Sequence, residues 1–240
     1  MTGRALPPTS PFAGDDGAPD PALVAALRGV PGGPRTARVV EALAHARVLV
    51  PVLAELEVAG EGVGGLTVDK EASTGVVALR TPDGRTALPV FSGTAALSRW
   101  HEAARPVPAE GPRAAASALQ EGWDLLVLDP GDPGAVVVPR PAVMALALGE
   151  AWHPAVVDGV VRSAVLVGIR AALTGLRDVG SVDAVPGTRA EVAVVLGLVP
   201  GLSRTALEAT VAEVGDRLAR DAVVTAEVDS LELTLRTLGG

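Results

Sequence analysis

Apolar residues recur at helical spacing in TARVVEALAHA, where Ala37, Val40, Leu43 and Ala44 share one face. The run RVLVPVLAEL that follows is apolar on both sides and reads as a strand, with Pro51 marking its end or a sheet edge. GVVALRT and RTALPVF are two short apolar runs separated by Pro82-Asp83-Gly84, which predicts a hairpin: proline fixes the first turn position and glycine accepts a positive φ. Thr94 is placed to cap AALSRW, in which Leu97 and Trp100 lie three apart on one face. Pro112 suits the first turn of a helix through Leu119. DLLVLDP and GAVVVPR form a second strand pair, and Pro141 opens a helix that Gly149 stops.

The alternation of element types then starts afresh. A helix is predicted over 154–174, with strands at 179–186 and 190–199. Ser203 caps a helix whose Leu207, Val211, Val214 and Leu218 keep a 4-3-4 stripe, and Leu231, Leu233 and Leu235 alternate along a final strand. The fold class expected is α+β in two small domains: a mixed sheet with flanking helices over residues 36–150, then an α-β-β-α-β layer domain over 154–240. Residues 1–35, rich in Pro, Gly and Asp, are expected to form a disordered tail in which PALVAALRG (21–29) packs at most transiently.

Composition narrows the functions available. The chain has 240 residues, 48% of them hydrophobic and only 2% aromatic, so its cores are built from Ala, Val and Leu. A net charge of −8 repels phosphate backbones and anionic lipid headgroups, and the arginines are scattered among acids. Neither nucleic acid nor membrane is therefore expected as a partner. The absence of cysteine excludes disulfides, thiolate catalysis and cysteine-based metal sites, and fits a cytoplasmic protein. The N-terminal stretch has no apolar core of a signal peptide.

The strand VLVPVL, an Asp-Lys loop, PDGRTALPVFSG leading into a helix that ends at Trp100, and LLVLDPGDPGAVVVPRPAVMAL together resemble the SseB N-terminal domain over about residues 36–150. The C-terminal half, ending in DSLELTLRT, is similar to the shorter SseB C-terminal domain of actinomycete proteins. The resemblance implies a fold and no reaction.

Lys70 is the only lysine, and it stands between Asp69 and Glu71. Acidic neighbours favour its charged form, which suits a solvated loop charge or a partner contact and not a Schiff-base nucleophile. In the SseB resemblance, similar Asp-Lys pairs imply a pinned or partner-binding loop. Phe91 and Trp100 fall at one strand-to-helix corner, either as core or as the wall of a shallow groove. Gly60, Gly62, Gly64 and Gly65 lack the following helix that a phosphate loop requires. His45, His101 and His153 show no metal-ligand spacing, and Ser92, the serine nearest to a strand-to-helix corner, sits among turn or cap residues. No cofactor or metal is expected.

These features favour a non-catalytic module that binds an unknown protein or small-molecule partner through Asp69, Lys70, Glu71, Phe91, Trp100 and Arg140, with the oligomeric state open. The alternative is a small enzyme with a polar site assembled from Asp69, Lys70, Arg140 and a histidine. A closed cleft of convergent polar groups would mark the enzyme, and an apolar patch the binding module.

Overall fold

A computed structural model describes residues 11–53, 67–69 (through their backbone) and 76–238. Chain contacts divide it into two compact units, Met1–Ala151 and Trp152–Gly240. The architecture is mixed α+β with no closed barrel among the described residues.

The first unit opens with α1 (Pro21–Leu27), which starts where Asp20 accepts the amide hydrogens of Ala22 and Leu23. α2 (Gly33–Leu43) follows and turns Val39, Val40 and Leu43 inward. The described part of the expected tail is therefore ordered: Leu23 is 0% exposed and Arg35 is 4% exposed. Composition averaged over 1–35 conceals the short amphipathic face that α1 lays against α2, because tertiary packing stabilises a helix too short to stand alone. Arg35 completes the attachment by donating Nε to the Leu27 carbonyl at 3.0 Å and Nη2 to the Gly134 carbonyl.

Next in order come β1 (Arg47–Val52), β2 (Thr67–Asp69), β3 (Ala78–Arg80), β4 (Thr86–Val90), α3 (Thr94–Trp100), β5 (Arg105–Glu110), α4 (Gly111–Gln120), β6 (Leu125–Leu128), β7 (Val136–Val138) and α5 (Arg140–Leu148). Five strands form a sheet in the order β2-β3-β4-β6-β7, antiparallel except for the β4–β6 pair. That parallel pair needs a long crossover, which α3, β5 and α4 supply. All four residues of β6 are buried, as befits a strand flanked on both sides.

The β3–β4 turn is the expected one, with Gly84 at φ 85° and the Thr81 amide donating to the Arg85 carbonyl at 2.9 Å. Gly149 ends α5 in the left-handed region at φ 70°. Thr94 differs from expectation: Gly93 holds the cap position of α3, and the Thr94 hydroxyl donates to the Gly17 carbonyl at 3.3 Å.

β1 and β5 make a separate antiparallel ribbon. Leu49 exchanges two backbone hydrogen bonds of 2.9 Å with Phe91, which hooks the ribbon onto the end of β4. Because Leu49 spends its N–H and C=O there, Pro108 opposite it lies on a rung where β5 turns its backbone away from β1. The strand period of two puts Pro106 in the same position. The missing amide hydrogens of both prolines thus fall on the outer edge of β5, outside the ladder.

The second unit contains β8 (Val156–Val157), β9 (Val160–Val161), α6 (Ser163–Ala172), β10 (Val179–Pro186), β11 (Val192–Leu198), α7 (Arg204–Leu218), α8 (Ala222–Glu227) and β12 (Leu231–Thr237). The helix expected over 154–174 begins only at Ser163. Asp158 at φ 51° and Gly159 at φ 75° build a two-residue hairpin between β8 and β9, a local signal hidden by the valines on either side. α8 is a further addition to the expected order, capped by Asp221, which accepts from Val223 and Val224 at 3.0 Å. β10 and β11 pair antiparallel, β11 and β12 parallel. Val192, Val194 and Leu196 of β11 pack with Val165, Ile169, Val214 and Leu218 into one core. Ser203 caps α7 as expected, accepting from Ala206 at 3.2 Å.

Candidate functional site

Because β4 and β6 run parallel, their carboxyl ends emerge side by side, the position at which open α/β sheets build their sites. β4 continues through Phe91, Ser92 and Gly93 into α3, and β6 continues into Asp129. The Ser92 amide donates to Asp129 Oδ1 at 2.8 Å and the Ser92 hydroxyl donates to Oδ2 at 2.7 Å, with both residues buried. Burial raises the Asp129 carboxyl above its ordinary range, and the two Ser92 hydrogen bonds pull the other way. Asp129 also holds φ at +50°, an uncommon conformation that Asp tolerates better than most residues.

Beside this contact lies a cavity of about 380 Å³ lined by Ala96, Arg99, Trp100, Asp129 and Asp132 among others, with Arg99 paired to Asp132 at 3.2 Å. The chemistry of the Ser92–Asp129 pair is that of a clasp. Both carboxylate oxygens accept from Ser92, and the Ser92 hydroxyl spends its proton on Asp129 Oδ2. The sequence placed Ser92 at the corner but held no signal for Asp129, which lies 37 positions along the chain.

Phe91 and Trp100 do meet, with ring centroids 5.2 Å apart at 43°. Phe91 is fully buried with Leu49 and Leu97, while half-buried Trp100 covers a second cluster of Leu79, Ala87, Leu125 and Val127. Arg140 starts α5 and pairs with Asp124 at 2.6 Å, just ahead of β6. Asp69 ends β2, three strand steps from β6 and so roughly 14 Å across the sheet. Lys70, Glu71 and the glycines at 60, 62, 64 and 65 lie outside the described residues. Among the described residues no group of three His, Asp or Glu side chains is placed to hold a metal ion, and no helix is long and apolar enough to cross a membrane.

A largely apolar concavity lies elsewhere, between the β1–β5 ribbon and α4. The ribbon contributes Val50, Val52 and Val107, of which Val50 and Val107 are cross-strand partners. α4 contributes Arg113, Ala114, Ser117 and Gln120, with Glu121 at its C-cap, and their spacing places them along one side of the helix. Leu88 of β4 and Trp123 add further apolar wall, and Pro11 and Phe12 complete the lining. The cleft has a volume of about 390 Å³, within the range of small-ligand sites. Its interior is aliphatic and aromatic, while its charged groups, Glu110, Arg113 and Glu121, stand on the strand end and the helix. No signal in the sequence revealed it, since each contributing run reads as ordinary core or amphipathic helix.

The family model of the SseB protein N-terminal domain matches residues 21–145. No curated protein and no solved structure matches the chain. The matched span includes β1, β4, β5, α4 and β6, the elements on which the cleft and the Ser92–Asp129 contact are built, and the chain belongs to the SseB family.

Proposed function

We propose that this SseB-family chain is a non-catalytic cytoplasmic binding module, whose N-terminal domain takes an apolar segment of a protein or small-molecule partner in the cleft between the β1–β5 ribbon and α4. One observation carries the reading: Val50, Val52, Leu88, Val107 and Trp123 converge on a cavity of about 390 Å³, whereas the buried polar pair of the unit, Ser92 and Asp129, is satisfied internally. The C-terminal unit is read as the SseB C-terminal domain of actinomycete type, on the strength of its DSLELTLRT strand. The charge of −8 weighs against nucleic acid and anionic membranes as partners. Asp69, Lys70, Glu71, Phe91, Trp100 and Arg140 remain candidate partner contacts in addition to the residues of the cleft.

The test uses N-phenyl-1-naphthylamine, a neutral apolar fluorophore, titrated into the full chain. Saturable enhancement is expected, together with its loss in Val50→Asp and Val107→Asp. Val50 is half-buried and Val107 is 47% exposed, and thermal melting of each variant establishes that it is folded before the titration. Equal enhancement in wild type and both variants would place the fluorophore elsewhere and remove the cleft from consideration.

A further inference from the structure

Phe12 is half-buried within PFAGDDGA, a stretch too polar and glycine-rich to hold an aromatic ring in place by itself. What fixes the stretch is polar and gathered a few residues later. Arg47 meets both oxygens of Asp15, Nε with Oδ2 and Nη2 with Oδ1, each at 2.7 Å. The same guanidinium donates Nη2 to the Ala18 carbonyl at 2.6 Å and Nη1 to the Ser92 carbonyl at 3.1 Å. The Thr94 amide donates to the Gly17 carbonyl at 2.9 Å. Two glycines permit this close approach: a Cβ on Gly17, at φ 76°, would lie 2.5 Å from Thr94 Cγ2, and one on Gly93 would lie 2.9 Å from the Gly17 carbonyl. The Arg47 and Asp15 side chains are only 14% and 15% exposed, so the pair is bidentate and largely desolvated, unlike the surface pairs of the protein.

Arg47 opens β1, and Val50 and Val52 of the same strand line the cleft. By the strand period of two the Arg47 side chain leaves the face of β1 opposite Val50 and Val52, so the strap runs from the carboxylate-binding arginine on one face to the apolar wall on the other. The strap answers that layout with Phe12 and Asp15, joined by a turn in which the Asp15 amide donates to the Phe12 carbonyl at 3.0 Å.

From this we infer that residues 11–18 are an in-cis stand-in for the partner, which is a peptide carrying an aromatic residue directly after proline and a carboxylate three residues further on. The inference rests on the cleft being the binding site. The strap has no helix or strand pairing of its own and is held through Asp15 and the Ala18 carbonyl on Arg47 and the Gly17 carbonyl on Thr94, so it opens as a unit without unpairing a helix or a strand. As a tethered segment it competes at a high effective concentration, and the intact chain takes the peptide in trans only weakly. Removing Phe12 or the Asp15 charge lifts that competition and raises the apparent affinity.

The experiment measures fluorescence anisotropy of a labelled peptide with the sequence of residues 11–18, PFAGDDGA, against the full chain and against full-length Phe12→Ala, Asp15→Asn and the double variant. Thermal melting first establishes that each variant is folded; the two single variants serve if the double does not fold. Binding is expected to tighten about tenfold or more from wild type to the opened variants. Replacing Phe by Ala in the peptide, or its first Asp by Asn, should reverse the gain. Equal binding by wild type and opened variants, or indifference to the peptide's Phe, overturns the inference. If no variant binds the peptide while N-phenyl-1-naphthylamine still titrates into the cleft, the strap is merely part of the fold and the cleft reading stands. If neither probe binds, both fall.

Discussion

Ser92 gives its amide and its hydroxyl to the two oxygens of a single carboxylate, Asp129, at 2.8 and 2.7 Å. The contact ties the exit of β4 to the exit of β6, so two segments 37 residues apart are locked at the same end of the sheet. Asp129 performs a second task at once, because its backbone holds φ at +50°.

Substitution separates the two tasks. Asp129→Asn keeps a residue that accepts the left-handed conformation and retains one acceptor oxygen. Asp129→Ala leaves both Ser92 donors buried without a partner and strains the backbone. Urea denaturation is expected to show a loss of about 3 kcal/mol for Ala and about 1 kcal/mol for Asn. Equal losses would show that neither the acceptor nor the backbone conformation distinguishes them.

The pH dependence has a definite sign. Burial raises the Asp129 carboxyl above its ordinary 3.8, so the folded protein holds this proton more tightly than the unfolded chain does. The stability tied to the group is complete below that ordinary value and falls as pH rises through the raised one. The advantage of wild type over Asp129→Asn should therefore shrink as pH rises above the ordinary carboxyl value of 3.8 in paired urea titrations. A gap that widens with pH would contradict the argument.

Glu232 in the second unit behaves in the opposite sense. The Thr188 amide and then the Arg189 side chain hold its carboxyl down to about 2 from 4.5. Its contribution is present above 4.5 and disappears as pH falls toward about 2. Glu232→Gln should melt below wild type at neutral pH and converge with it on acidification. A difference that persists undiminished at the acid end would mean that Glu232 acts through packing instead of charge.

Two glycines test close approach against backbone freedom. A Cβ on Gly111 would collide with the Leu43 carbonyl oxygen, where the end of α2 abuts the start of α4. A Cβ on Gly149 meets nothing within 4 Å, and only its φ of 70° opposes a side chain. Gly149→Ala is expected to cost about 1 kcal/mol and Gly111→Ala about 3 kcal/mol by chemical denaturation. The reverse order would refute the collision.

Signals that act within a few residues were legible in the chain. Pro82-Asp83-Gly84, Ser203 and Gly149 each carry their own backbone chemistry, and each does in the fold what its residue type favours. Asp158-Gly159 is equally local but was masked by flanking valines that suit a helix face as well as a short strand. β5 was missed because its two prolines argue against a strand unless the partner's hydrogen bonding is known. The burial of Leu23 depends on α2, and the Asp129 clasp depends on Ser92, so neither is encoded near its own position. The cleft is the extreme case: it exists only once β1, β5 and α4 come together, and no one of them is concave alone.

The outward rungs of β5 carry a consequence for life at high concentration. A strand at the margin of a ribbon normally invites a second molecule to extend the ladder, and repeated extension leads to fibres. Pro106 and Pro108 offer carbonyls but no amide hydrogens along that margin, so an incoming strand finds half of the hydrogen bonds missing at both rungs. The chain can thus keep an apolar cleft open to its surroundings, next to a strand edge that is unpaired among the described residues, without seeding its own precipitation. Along that margin of β5 the backbone refuses to template an added strand at Pro106 and Pro108.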